Sequence, residues 1–145
     1  MTAFTCRTVA YGSPAYHQTV DLRDRILRQP LGLAFTPEQL AAEKDDLHLT
    51  IWSAHTLAGC LVLTPQPAQT VKMRQVAIDP TYQGQGIGTM LVQYSEDVAR
   101  KQGYTNMCCH ARESAVPFYK KLGYTVKGDV FTEVTLPHYY MEKPL

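Results

Sequence analysis

Along the chain, hydrophobic positions switch repeatedly between the two-residue period of strands and the 3.6-residue period of helices. Phe4 to Ala10 reads as a short strand, closed by the turn-forming run Gly12-Ser13-Pro14. Tyr16, Val20, Leu22, Ile26 and Leu27 then fall at helical spacing toward Pro30. Thr36 predicts a second, short helix: it stands at the N-cap, Pro37 takes the first helical position, and Gln39 completes a capping box. Leu47 to Ala54 and Leu57 to Leu63 are β-rich runs joined by a His55-Thr56 hairpin, and Pro65-Gln66-Pro67 is expected to break the second. Thr70 to Ile78 is a third run, stopped by Asp79-Pro80. Ile87, Leu91, Tyr94 and Val98 mark the most regular amphipathic helix, with Gly103 where a left-handed cap is wanted. Thr105 to His110 reads as a strand and Ser114 to Leu122 as a helix closed by Gly123; the tail gives two strands flanking Gly128-Asp129.

The order β-α-α-β-β-β-α-β-α-β-β constrains the architecture. Consecutive middle strands can pair antiparallel through short turns, whereas the strand-helix-strand unit from Thr70 to His110 requires a parallel crossover. An α/β fold follows, with a central mixed sheet and helices on both faces. At 145 residues one domain is expected.

Composition removes several function classes. A formal net charge of +1 gives no broad basic face for nucleic acid, so any anion must be held locally. Cys6, Cys60, Cys108 and Cys109 form no CxxC pair, which disfavours zinc ribbons, dithiol redox chemistry and a secreted disulfide scaffold. Cys108 and Cys109, being adjacent in a strand, should point to opposite faces, so no metal site is expected of them. No long apolar run follows a basic N-terminal segment, and none is long enough to span a bilayer; a cytoplasmic protein without membrane contact is expected.

The stretch Gln83-Gly84-Gln85-Gly86-Ile87-Gly88-Thr89 carries the chemical question. A dinucleotide-binding GxGxxG fingerprint does not fit, because the third glycine falls one residue early and Gly103 to Arg112 supplies no acidic ribose ligand. Nor does a Walker A loop, since Thr89-Met90 stands where Gly-Lys is needed. What remains is a plain tight turn or an anion cradle. Glycines lacking a Cβ let a phosphate approach successive backbone N–H groups, and the helix N-terminus adds its dipole.

Gln83-x-x-Gly86-x-Gly88, placed after Val76-Ala77-Ile78-Asp79-Pro80, resembles the acyl-CoA signature of the GNAT acetyltransferase superfamily. Ala115-Val116-Pro117-Phe118-Tyr119-Lys120-Lys121-Leu122-Gly123-Tyr124 looks like that superfamily's second motif, a helix tyrosine ahead of a Gly-aromatic pair. The likeness is detailed from Val71 to Tyr124, while the segment Leu22-Arg23 to Leu31-Gly32 and the tail Phe131 to Met141 resemble the small bacterial ElaA-like branch.

This resemblance implies a GNAT fold and acetyl-CoA as cofactor. It places Val76, Ala77 and Ile78 along the pantetheine arm, which inserts where Val71 to Ile78 and Thr105 to His110 splay apart. It sets the amides of Gln83, Gly84, Gln85, Gly86, Ile87, Gly88 and Thr89 around the pyrophosphate. A strand amide near Ala77 would polarise the thioester carbonyl. Tyr119 matches the family's general acid: an ordinary phenol is protonated at neutral pH and can donate to a departing thiolate. For the base the tail offers Glu133 and His138, with His110 as a third candidate; histidine titrates in the useful range, whereas glutamate needs a raised pKa or a relaying water. Arg112 takes a position where many relatives carry Asn, and could meet a phosphate or an acidic substrate group. Lys121 is placed toward the nucleotide phosphate, though solvent is the simpler reading. Arg23, Arg28, Asp45 and His48 belong to the segments that wall GNAT acceptor sites, and Tyr139 and Tyr140 to the tail. They could orient a charged molecule or form surface ion pairs.

The implied function is transfer of an acetyl group to a primary amine of a small molecule or peptide, directly and without an acyl-enzyme, since neither Cys108 nor Cys109 has a base and orienting partner. Two rivals differ in class: a catalytically silent acyl-CoA-binding or regulatory module, and an interaction protein that binds no CoA. Homodimers are common among similar proteins, but no segment specifies an interface.

Overall fold

The computed structural model describes residues 3–145. Eight strands form one mixed sheet in the order β1-β2-β3-β4-β5-β8-β6, with β7 also pairing to β8. β1 (Phe4–Val9), β2 (Leu47–Ser53), β3 (Thr56–Gln66) and β4 (Thr70–Ile78) are antiparallel neighbours. β4 and β5 (Asn106–Arg112) run parallel, joined through α3 (Ile87–Lys101). After α4 (Val116–Lys121) come β6 (Thr125–Val126), β7 (Phe131–Glu133) and β8 (Leu136–Pro144), which lies antiparallel to β5. The fold is the α/β, GNAT-type architecture expected.

Helices cover opposite faces because strand side chains alternate. Leu49, Ile51, Ala58, Leu61, Leu63, Met73, Met107 and Cys109 share one apolar cluster with Ile87, Leu91 and Val92 of α3 and Tyr119 of α4. Trp52, Leu57, Cys60 and Ala77 form the other with Leu22 of α1 (Pro14–Arg23). The buried face of α3 is Ile87, Leu91, Val92, Ser95, Glu96 and Ala99, turned from the expected stripe so that Tyr94 and Val98 are only partly covered. Buried Glu96 is satisfied by Tyr124, whose hydroxyl donates at 2.8 Å, and by Lys143 at 3.0 Å.

Several local expectations shift. The capping box is present: Gln39 N donates to Thr36 Oγ1 at 3.1 Å and Thr36 N to Gln39 Oε1 at 2.9 Å, heading α2 (Pro37–Ala41). α1 does not continue regularly toward Pro30; it widens into a π-turn over Asp24–Arg28 and tightens again over Gln29–Leu31. The β2–β3 turn is Ala54-His55, one residue earlier than expected, with Ala54 left-handed at φ 53°. Pro65 does not break β3, which runs on to Gln66. At that point β2 has already ended, so Pro65 needs to serve only β4. The tail holds three strands rather than two, because Val134 and Thr135, at φ 46° and 65°, make a tight β7–β8 turn. β-branched residues seldom accept that conformation, so the sequence carried no sign of it.

Candidate active site

The site begins where β4 and β5 part. Their parallel register covers Thr70↔Asn106 to Met73↔Cys109 and goes no further. Two residues on, Gln75 sits at φ 55°, and the β3–β4 register slips between Cys60 and Val62, a bulge that turns the end of β4 away. From Arg74 to Ile78 the β5-facing edge of β4 therefore has no strand partner. The gap opens into a cleft of about 470 Å³ lined by Met73, Gln75, Val76, Ile78, Gln83, Cys109, His110, Tyr119, Glu133 and His138, among others. The π-turn brings Ile26, Leu27 and Arg28 to its rim.

Beyond Ile78 the chain makes one 3-10 turn, Pro80–Tyr82, capped by the Asp79 carboxylate accepting from Thr81 N at 2.9 Å. The glycine turn follows. Gly84 (φ 80°) and Gly86 (φ 77°) are left-handed, with open space where a Cβ would stand, and Gly86 is the N-cap of α3. Gly88 serves close packing instead: a Cβ there would meet the Phe118 ring at 3.4 Å. A second hollow of about 450 Å³ lies here, lined by Ile78, Tyr82, Gln83, Gly84, Gly86, Ile87, Gly88, Thr89 and Phe118. It shares Ile78 and Gln83 with the cleft, so the two adjoin at those residues. Of the seven turn residues, only Gln85 is outside its lining. Of the three strand positions, Val76 and Ile78 line the cleft, whereas Ala77 does not: it pairs with Cys60 of β3 and its side chain is buried in the cluster under α1. An unpaired strand edge leading to an uncapped helix N-terminus with open glycines suits a long ligand that ends in phosphates.

Tyr119 lies at the inner wall, 6% exposed. Burial, with Cys109 nearby, raises its phenol further, so it stays protonated throughout the neutral range. Tyr124, its neighbour at 5.7 Å between rings, is committed to Glu96; among the described residues the Tyr119 hydroxyl has no such partner.

Glu133, His138 and His110 also line the cleft and meet one another there. His110 Nδ1 donates to Glu133 Oε1 at 3.0 Å, and His138 Nε2 lies 3.8 Å from Glu133 Oε2. Each acceptor fixes a tautomer. His138 Nδ1 donates to the Leu136 carbonyl at 2.9 Å, leaving Nε2 bare in the neutral ring, while the Glu133 bond leaves His110 Nε2 bare. Burial alone would raise the Glu133 carboxyl, but the His110 hydrogen bond and the charges of His110, Lys72 and His138 hold it below the usual glutamate range. That is the reverse of what a carboxylate base requires, and it makes Glu133 an ionised anchor for the His110 ring. His138 is almost enclosed, with a side chain 4% exposed against 27% for His110.

The remaining candidates divide. Arg28 and Arg112 line the cleft, Arg112 Nη2 reaching the Leu27 carbonyl at 3.4 Å. Arg23 is neither a pocket wall nor a surface charge: it is fully buried and bidentate on Glu43, at 2.8 and 2.9 Å, and Tyr16 donates to the same carboxylate at 3.1 Å. His48 is buried beside it, Nε2 bonded to the Glu43 carbonyl at 2.9 Å and Nδ1 without a partner. Asp45, Lys121, Tyr139 and Tyr140 do not line the cleft. Sequence reasoning missed Lys72, Arg74 and Gln75. The first two alternate with apolar Val71 and Met73 along β4, a visible sign; the bulge at Gln75 leaves none. Among the described residues no group of three His, Cys, Asp or Glu is placed to hold a metal ion, and no helix is long and apolar enough to cross a membrane.

Comparisons with known proteins agree with this geometry. The sequence model of the acetyltransferase (GNAT) family matches residues 16–124. The chain spans about half the length of the curated relatives it matches; YyaT of Bacillus subtilis is 32% identical over 76 residues, 52% of this chain and 51% of that protein. Among solved structures, Escherichia coli ElaA superposes with a TM-score of 0.83 at 14% identity, covering 97% of this chain and 99% of that one. A GNAT family acetyltransferase from Elizabethkingia anophelis with acetyl-CoA bound gives 0.76 at 17% identity, covering 98% of both chains. At such identities both show the fold.

Proposed function

We propose that this chain, which belongs to the acetyltransferase (GNAT) family, moves an acetyl group from acetyl-CoA to a primary amine within the cleft between β4 and β5. The observation that carries the reading is that the glycine-turn hollow adjoins a cleft lined by both a buried phenol, Tyr119, and an imidazole held by a carboxylate, His110 on Glu133. Bound acetyl-CoA supplies the activated thioester: a C–N bond forms to the amine as the C–S bond breaks. Main-chain N–H groups of Gln83 to Thr89 would hold its pyrophosphate, and the free edge of β4 from Arg74 to Ile78 its pantetheine arm. An edge N–H near Ala77 would serve the carbonyl oxygen.

Tyr119 delivers the proton the departing sulfur needs, its raised pKa keeping that proton available. The amine must shed a proton, and His110 Nε2 is the acceptor we favour. It is bare, it belongs to a ring that faces the cleft, and Glu133 on the far nitrogen stabilises the imidazolium that forms. His138, whose Nε2 lies 3.8 Å from the second oxygen of Glu133, then acts as a positioning residue by packing beside that carboxylate. The four cysteines are free, three of them buried, which suits the cytoplasm. The ElaA-like assignment within the family rests on the Leu22 to Gly32 segment, the tail segment and one fold likeness among many.

The test is thiol release from acetyl-CoA across a panel of amines, run beside calorimetric titration with CoA. Saturable CoA binding with turnover of at least one amine is expected. Tight binding with no turnover of any amine would leave the silent acyl-CoA-binding module, and absence of CoA binding would leave neither.

A further inference from the structure

The charge of the acceptor side narrows the class of amine. Next to the cleft lies a hollow of about 320 Å³, sharing Arg28, Met73, Arg74, Gln75, His110, Glu133 and Val134 with it and adding Lys72 and Gln39. Cleft and hollow together present four permanent or near-permanent cations, Arg28, Lys72, Arg74 and Arg112, against one carboxylate, Glu133. The whole chain carries 14 Lys and Arg against 13 Asp and Glu, so this imbalance is local.

The cations are poorly matched by the protein. Arg28 lies over the Phe35 ring at 4.5 Å. Arg74 reaches Asp46 only at 4.0 Å and Thr64 Oγ1 at 3.4 Å, and the Arg112 contact is to a carbonyl. Burial lowers the Lys72 ammonium, against the pull of Glu133. Glu133 itself is taken up by the His110 hydrogen bond. A polyamine would set a second ammonium among these groups with nothing to meet it, whereas a carboxylate fits the planar fork of a guanidinium. In the same lining Gln75 holds a buried Oε1 with no hydrogen-bond partner, an unused acceptor beside the hollow.

Resting on the transfer reading above, we infer that the acceptor is a small zwitterionic amine, its carboxylate held by Arg28 and Arg74 while its nitrogen sits by Gln75 and His110. A hollow of this volume is at the small end of ligand pockets, which favours a free amino acid or close derivative.

Saturation-transfer NMR tests the carboxylate separately from catalysis. Protein with CoA in solution is mixed with a pool of N-acetyl amino acids, with the matching carboxamides, and with N-acetyl aminoalkyl phosphates. At least one acid should bind about tenfold or more tightly than its amide, the change expected for losing one charge-assisted hydrogen bond. The Arg28→Gln, Arg74→Gln double variant should lose that preference, while exposed Arg100→Gln keeps it; thermal melts confirm folding. Equal binding of acids and amides, no binding of either, or stronger binding of phosphates would overturn the inference. If acids bind with this preference and no amine is turned over, acetyl transfer fails and the anion subsite stands.

Discussion

Tyr119, which lines the cleft, and Tyr124, whose ring packs against it, do different work, and replacing each by phenylalanine separates chemistry from stability. The Tyr124 hydroxyl donates to buried Glu96 at 2.8 Å, a hydrogen bond to a charged acceptor worth about 1.5–3 kcal/mol. With an unfolding entropy of about 2.1 cal/mol/K per residue over the chain, that is a fall of about 5–10 °C in Tm. Lys143 still holds Glu96 in Tyr124→Phe, which favours the lower end. Tyr119 bonds to no comparable partner, so Tyr119→Phe should move Tm by no more than about 2 °C. It should nonetheless lower kcat by about 10²–10⁴-fold, the usual contribution of a positioned acid, with KM for acetyl-CoA little changed. The assay is paired: differential scanning fluorimetry, and thiol release with the best amine. If Tyr119→Phe keeps its kcat, or loses stability as Tyr124→Phe does, the assignment of the acid is wrong.

Other perturbations probe the frame. Glu43→Ala strands the fully buried Arg23 and should cost about 3–5 kcal/mol in urea unfolding, whereas Arg23→Met with Glu43→Leu should be nearly neutral; equal losses would refute the stranding argument. Burial depresses the His48 imidazole below its ordinary 6.5, so the native state binds fewer protons than the unfolded chain. Stability is therefore fully present above pH 6.5 and falls as pH drops through that value. Chemical denaturation from pH 7.5 to 5.5 should show that slope, and His48→Asn should flatten it; the depressed Glu43 titrates in a more acid range. Gly86→Ala and Gly12→Ala meet the same left-handed strain, at φ 77° and 78°, for about 1–2 kcal/mol each. Only the former should weaken CoA binding in calorimetry; equal affinities would remove the turn from the cofactor site.

The glycine turn, α3 and the parallel crossover were legible in the sequence because each is specified by neighbours in the chain: open glycines, a helical stripe, and a connection too long for a hairpin. Tyr119, Glu133, His138 and His110 could be named, but not their grouping, since strands far apart in sequence bring them together. The burial of Arg23 was illegible for the same reason, its carboxylate lying 20 residues away in a different segment. Conformations that residue type does not announce were missed: left-handed Gln75, Val134 and Thr135, and the π-turn after Arg23. These irregular points shape the cleft, as expected where local preference yields to tertiary demand.

The short seam between β4 and β5 has a mechanical meaning. Only four residue pairs tie the first half of the sheet to the second before the strands diverge. An extended guest bonded to the free edge would act as a missing rung of the ladder, knitting the halves along a line the protein leaves unfinished. Were the cofactor that guest, its occupancy and the rigidity of the sheet would be one thermodynamic variable, the middle of the molecule loosening each time it left.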